Sequence, residues 1–319
     1  EKMGTENFWK DKKVLVTGGY GFLGKAVIKN LKEKGYNNII TFSRTDYDLI
    51  KEEDVKKLFE KNGPIDYVLH LAADVGGIGY NKAFPGSIYY NNLMMNILMQ
   101  EYSRRNNVKK FVGIGSVCSY PKFTPVPFRE EDLWNGYPEE TNAGYGLSKK
   151  MMMLQSQLYK QEFDFNAVHL LMINLYGPED NFDLEYGHVV PTLIMKFFNA
   201  KRNNDREVVL WGDGSPSREF LYVEDAAEAI ISALEKYDSS DPVNIGAGRE
   251  ISIKELAELV KKYVGFEGEI IWDTSKPNGQ PRRCLDVSKA EKEFGFKAKT
   301  DFEEGLRKTI EWYGGILKD

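Results

Sequence analysis

Tyr145 and Lys149 stand four residues apart in a stretch rich in helix formers, Gly144 to Leu158. On a helix that spacing puts the phenol and the ammonium on one face. A neighbouring ammonium is expected to lower a phenol's pKa from about 10 toward neutrality, which makes tyrosine a usable proton donor and acceptor. Ser116 follows the apolar run Lys110 to Gly115, and at the carboxyl end of a strand its hydroxyl is placed to hydrogen-bond a substrate carbonyl. Cysteine and histidine are scarce: Cys118, Cys284, His70, His169 and His188 are all the chain has. Cys118 lies two residues beyond Ser116. Free thiols at about 8.5 and imidazoles at about 6.5 both exchange protons close to neutral pH. His70 sits inside an apolar strand, His169 lies in the run Val168 to Ile173, and Cys284 has no motif around it, so these three read as packing residues.

A glycine loop, Thr17-Gly18-Gly19-Tyr20-Gly21-Phe22-Leu23-Gly24, follows the short apolar strand Val14 to Val16, and a helix begins inside it. Gly18 suits a tight turn, Gly21 a close approach of backbone to pyrophosphate, and Gly24 close packing of helix on strand. Free N–H groups at the helix start attract the anion, so the loop with Phe22 and Leu23 is expected to hold a dinucleotide. A cofactor without a 2′-phosphate is expected to meet an acidic residue about 20 residues on. The chain instead has Thr41-Phe42-Ser43-Arg44, and the Arg44 fork suits a 2′-phosphate, so NADP(H) is preferred.

The elements that must position these residues alternate. Strands at Val14 to Val16, Asn38 to Phe42, Tyr67 to Leu71 and Lys110 to Gly115 are separated by helical patterns at Leu23 to Lys34, Asp54 to Lys61 and Gly86 to Asn106. Right-handed crossovers then give a doubly wound parallel sheet of Rossmann type, covered by helices on both faces. The regularity weakens after Tyr176. The expected division is a cofactor domain of residues 11–176 plus 219–247 and a smaller α/β substrate lobe of 177–218 plus 248–319.

Composition narrows the function. The chain has 319 residues, with 43 basic against 48 acidic side chains and a net charge of −5. Nucleic-acid affinity comes from clustered excess Lys and Arg, so no nucleic-acid partner is expected. The cysteines match no zinc spacing, no metal is expected, and a reducing cytoplasm is the expected compartment. No apolar run is long enough to span a membrane, and the polar segment Glu1 to Lys13 predicts no signal peptide.

Longer motifs carry a resemblance. They are Ala72-Ala73-Asp74-Val75-Gly76-Gly77-Ile78, Gly115-Ser116-Val117-Cys118-Ser119-Tyr120-Pro121-Lys122, Asn174-Leu175-Tyr176-Gly177-Pro178-Glu179-Asp180-Asn181-Phe182, His188-Val189-Val190-Pro191 and Lys276-Pro277-Asn278-Gly279-Gln280-Pro281-Arg282. From about residue 12 to 313 the chain resembles the extended short-chain dehydrogenase/reductase family acting on nucleotide sugars. The resemblance implies NADPH-dependent 3,5-epimerisation and 4-keto reduction of a GDP-linked 4-keto-6-deoxy sugar, GDP-4-keto-6-deoxy-D-mannose. The neighbouring readings are a heptose-linked substrate, reduction alone, or an NAD-dependent 4-epimerase. It implies Cys118 and His188 as the epimerising acid/base pair and Ser116, Tyr145 and Lys149 as the reducing set. Ala72 and Ala73 become further cofactor contacts, and Asn174, Lys196, Trp211, Arg218 and Arg282 become substrate contacts. Lys196 departs from the family's usual Arg and binds as a point charge. A homodimer through two helices, about 87–106 and 143–159, is implied as well.

Overall fold

The computed structural model describes residues 8–276 and 278–317. The polar opening residues 1–7, Pro277 of the Lys276 to Arg282 motif and residues 318–319 lie outside that description. The first strand, β1 (Val14–Thr17), is buried along its length because helices cover both faces of its sheet. Helix α1 (Phe22–Glu33) leads to β2 (Ile39–Ile40), α2 (Glu52–Asn62) to β3 (Tyr67–His70), and α3 (Ile78–Ala83) with α4 (Pro85–Arg105) to β4 (Lys110–Ser116). After β4 come α5 (Ala143–Phe163) and β5 (Ala167–Met172), then the short β6 (Asn174–Tyr176). The rest is α6 (Val189–Asn203), β7 (Glu207–Trp211), β8 (Ser217–Tyr222), α7 (Val223–Lys236), β9 (Val243–Ile245), β10 (Glu250–Ser252), α8 (Ile253–Val264), β11 (Glu269–Asp273), β12 (Arg282–Arg283), α9 (Ser288–Phe294) and α10 (Phe302–Ile316).

Six strands in the order β2-β1-β3-β4-β5-β9 form one sheet, and every pairing in it is parallel. Alternate residues of β1 feed opposite faces: Val14 and Val16 pack with Val27 of α1 and Ile230 of α7, Leu15 with Met99 of α4 and Met152 of α5. The architecture is therefore the expected doubly wound α/β fold. The chain leaves β1 toward β2 and returns on the other side as β3, so a crevice opens above the carboxyl ends of β1 and β3.

A second core surrounds Ile194 and Phe197 of α6, Phe220 of β8, Leu256 and Val260 of α8 and Leu306 and Ile310 of α10. Its sheet joins β8 to antiparallel β10 and to parallel β6 and β12, while β7 pairs with β11. Within the returning segment 219–247, β9 joins the large sheet and α7 covers it, whereas residues 219–222 belong to the small sheet.

Asn244, in the middle of β9, is fully buried and ties three segments together. Its amide donates to Phe128 O at 2.9 Å and Asp286 O at 3.1 Å, and its carbonyl accepts from the Tyr120 hydroxyl at 2.6 Å. Truncating it strands buried polar groups, each costing about 1–3 kcal/mol. Asn244→Ala is expected to destabilise the fold by about 2–4 kcal/mol in urea unfolding, and a loss below about 0.5 kcal/mol would show the network to be dispensable.

Candidate active site

The loop after β1 is shaped by two close approaches. Gly18 has φ +68, and a Cβ there would meet Ala72 N at 2.9 Å; a Cβ on Gly24 would meet Gly18 O at 2.0 Å. A side chain at Gly18 would fill the cradle between the β1 and β3 loops, and one at Gly24 would hold α1 away from the β1 loop. Gly21 precedes α1 with no side-chain cap, so the amides at the helix start are left to an anion. These features fit a dinucleotide pyrophosphate. Phe22 and Leu23 are half-buried at the start of α1, and Ala72 and Ala73 line the facing loop. Arg44 is exposed beyond β2, its Nε 3.6 Å from Asp48.

Beneath the loop, Thr17 Oγ1 accepts from the Leu71 and Ala72 amides, both at 3.1 Å, which leaves its proton for His70 Nδ1 at 2.8 Å. His70 Nε2 then donates to Asn96 Oδ1 at 3.0 Å, and Asn96 in turn donates to Ser148 O at 3.3 Å. This chain of bonds links the cofactor loops to α5.

Helix α5 carries Tyr145 and Lys149 and meets the turn after β4 almost backbone to backbone. A Cβ on Gly146 would lie 2.2 Å from Cys118 O, and Ser119 Oγ donates to Gly146 O at 2.8 Å. The close contact brings the phenol within electrostatic reach of the Cys118 sulfur. Burial and that sulfur both push the Tyr145 phenol above its usual range. Burial also pushes Lys149, its Nζ 5.6 Å from the centre of the Tyr145 ring, down to about 8. The expected lowering of the phenol is therefore reversed in the fold: Tyr145 stands as a protonated phenol, ready to donate.

Ser116 and Cys118 share the end of β4. The Cys118 amide donates to Ser116 Oγ at 3.1 Å, which leaves the Ser116 proton for a ligand oxygen. Cys118 is half-buried, whereas Cys284 is buried and its thiol is pushed up to about 12 by burial and by Glu219.

His188 stands at the N-cap position of α6, and its side chain makes no capping hydrogen bond. Its Nδ1 stands 4.0 Å from Asp180 Oδ1, and the Asp180 side chain is only 3% exposed. The other Asp180 oxygen is buried without a hydrogen-bond partner. The loop between them docks on the β3 loop, where Gly77 N donates to Tyr186 O at 2.7 Å and a Cβ on Gly77 would crowd Gly187 O.

The substrate contacts expected from sequence divide. Arg218 on β8 is half-buried and its guanidinium is lowered to about 10 by burial and by nearby Arg283. Arg282 points outward and pairs with Glu250. Arg283, which the sequence reading passed over, has its Nη1 3.9 Å from Cys118 Sγ. Asn174 donates from its side chain to Glu219 O at 3.0 Å. Trp211 is 67% exposed, with Lys276 over its ring at 5.8 Å. Lys196 lines a cleft of about 310 Å³ with Leu184, Asn199, Asp205 and Glu207, and burial lowers its ammonium. Among the described residues no group of side chains suits a metal ion, and no helix is long and apolar enough to cross a membrane.

His70 and His169 are buried, and burial with the nearby Lys149 charge lowers both to about 3. The unfolded chain protonates both near 6.5, so their neutral burial costs nothing above that pH and destabilises the fold increasingly as pH falls below it. Nitrogen NMR is expected to show both rings neutral at pH 5, with urea stability lower there than at pH 7.5. A protonated signal from either ring at pH 5 would refute the assignment.

Known proteins are similar to this chain over nearly its whole length. A protein of Oryza sativa subsp. japonica described as probable GDP-L-fucose synthase 1 is 42% identical over 310 residues, covering 96% of this chain and 94% of its own length. A solved GDP-6-OMe-4-keto-L-xylo-heptose reductase from C. jejuni matches with a TM-score of 0.90 at 30% identity, covering 96% of this chain and 98% of that one. A GDP-L-fucose synthetase from Naegleria fowleri bound to NADP matches with a TM-score of 0.87 at 31% identity, covering 97% of this chain and 95% of that one. Residues 14–246 match the model of the NAD dependent epimerase/dehydratase family, and the chain belongs to that family.

Proposed function

We propose that this chain is an NADPH-dependent 3,5-epimerase and 4-reductase that converts GDP-4-keto-6-deoxy-D-mannose to GDP-L-fucose. The observation that carries the reading is the backbone contact between α5, which bears Tyr145 and Lys149, and the Cys118 turn just beyond Ser116 at the end of β4. The relatives named for GDP-L-fucose support the substrate, and the NADP-bound one supports the cofactor. Arg44, in place of an acidic residue, suits the 2′-phosphate.

A ketone at carbon 4 acidifies the protons on carbons 3 and 5. Cys118 takes such a proton while the C–H electrons move toward the carbon 4 oxygen, where the free Ser116 proton meets the developing charge. His188, its Nδ1 4.0 Å from Asp180 Oδ1, returns a proton from the opposite face. When bound, NADPH supplies hydride to carbon 4. Tyr145 gives its proton to the resulting alkoxide, with Lys149 beneath it, and Arg218 meets the substrate diphosphate.

Incubation with GDP-4-keto-6-deoxymannose and NADPH in heavy water is expected to yield a product carrying deuterium at carbons 3 and 5. Cys118→Ser should abolish exchange with NADPH binding intact, and Tyr145→Phe should lower reduction at least about a hundredfold. Reduction without exchange would overturn the epimerase half, and turnover only of a heptose-linked ketone, as the C. jejuni relative suggests, would replace the substrate.

The reading includes a homodimer. Tyr89, Tyr90 and Ile97 of α4 and Leu158 and Phe163 of α5 are exposed along one helix pair, and a second copy would cover them. Light scattering should give about twice the 36.5 kDa chain mass, and a monomer at micromolar concentration would refute it. A reaction that depends on a free thiol needs a reducing compartment, which this reading takes to be the cytoplasm.

A further inference from the structure

We propose that Glu219 is a positioning residue for the smaller lobe: its buried carboxylate ties β8 and β12 to the loop that leaves β9, and so holds the arginine pair Arg218 and Arg283 in place beside the Cys118 turn. The inference rests on the proposed function in taking a nucleoside diphosphate as the ligand that Arg218 meets; the tie itself is a property of the free protein.

Glu219 is fully buried, and backbone amides from two distant segments hold its two carboxylate oxygens. Oε1 accepts from Gly248 N at 2.7 Å, on the loop that leaves the edge strand of the large sheet. Oε2 accepts from Leu285 N at 2.7 Å, just beyond β12. The Glu219 carbonyl accepts from the Asn174 side chain on β6 at 3.0 Å. Phe128, from the connection between β4 and α5, extends the same knot, its amide donating to Cys284 O at 2.8 Å and its carbonyl accepting from Asp286 N at 2.8 Å. One residue therefore joins the large sheet to β6, β8 and β12 of the small one.

The fold makes room for this carboxylate. A Cβ on Gly246 would lie 2.1 Å from Glu219 Oε1, so the loop after β9 closes on the acid only because position 246 has no side chain. Among the described residues no lysine or arginine donates to it, and burial pushes its pKa up against the pull of the amides. A buried carboxylate without a cation is costly. What it supplies in return is an acceptor toward each amide, which glutamine, with one oxygen and one NH2 group, does not.

The consequence reaches the arginines. Strand β12 is two residues long, with Arg282 opposite Ser217 and Arg283 opposite Arg218, so its place depends on the bond from Leu285 N to Glu219. Alternation along β8 puts Arg218 on the face opposite Glu219. The Arg283 charge lies close enough to Arg218 to lower it, and Arg283 Nη1 stands 3.9 Å from Cys118 Sγ. The cation proposed for the diphosphate and the turn that carries the proposed base are thus held in one frame by the Glu219 tie.

The test compares Glu219→Gln, which strands one amide, with Gly246→Ala, which displaces the carboxylate from the other side. Calorimetry with GDP alone and with NADPH alone needs no turnover. In both variants the GDP dissociation constant is expected to rise about tenfold, the scale of one misplaced charged hydrogen bond, with NADPH affinity unchanged. Hydrogen exchange is expected to quicken at residues 246–248 and 283–286 and to stay the same in β1 and β4. A lower melting temperature with unchanged GDP affinity would overturn the proposal, because a merely structural role does that. Equal losses for GDP and NADPH would overturn it too, as general loosening. Failure of the unmutated protein to bind GDP would refute the nucleotide reading instead, and the exchange arm would then decide the tie: faster exchange confined to the two segments upholds it, and unchanged exchange overturns it.

Discussion

The arrangement depends on one backbone contact. Position 146 carries no side chain, and any Cβ there would collide with the carbonyl of Cys118, so only glycine lets α5 close onto the turn at the end of β4. The α5 side of the site follows from that approach. It brings the Tyr145 phenol within electrostatic reach of the Cys118 sulfur and presents Ser148 O to Asn96, the last link in the chain from Thr17, on a helix whose Lys149 is only 3% exposed. The cofactor loops and the proton carriers are therefore registered to each other by buried hydrogen bonds, in which Asn and Thr side chains replace the softer packing of an apolar core.

A second constraint is electrostatic. Burial strips water from Lys149 and Arg218 and lowers both cations. His188 stands beside the buried Asp180, and Arg218 is the half-buried cation proposed to meet the substrate diphosphate. With a net charge of −5 the molecule offers no general positive field, and its anionic ligands must be met locally. In the proposed function the Gly18 to Gly24 loop does so with backbone amides and the smaller lobe with guanidinium groups, two solutions that need few basic residues.

The sequence disclosed what local periodicity controls. The parallel sheet, its covering helices, the strand-loop-helix of the cofactor site and the sheet-edge place of Ser116 were all legible, because buried strands and long helices carry their pattern within their own residues. Strands β6, β8, β10 and β12 were not read as strands. They are two to six residues long, and what makes them strands is the partner each pairs with, not the apolar alternation of their own residues. The same gap explains the two arginines. Sequence resemblance favoured Arg282, but which of two adjacent arginines turns to the sulfur depends on the register of β12 against β8, and that register is set by tertiary contact. Asp180 was visible as a letter in a motif, while its burial and its distance from His188 were not. The sign of the Tyr145 shift was misjudged for a related reason: spacing reveals the neighbouring ammonium, but only the fold reveals how much water the phenol has lost.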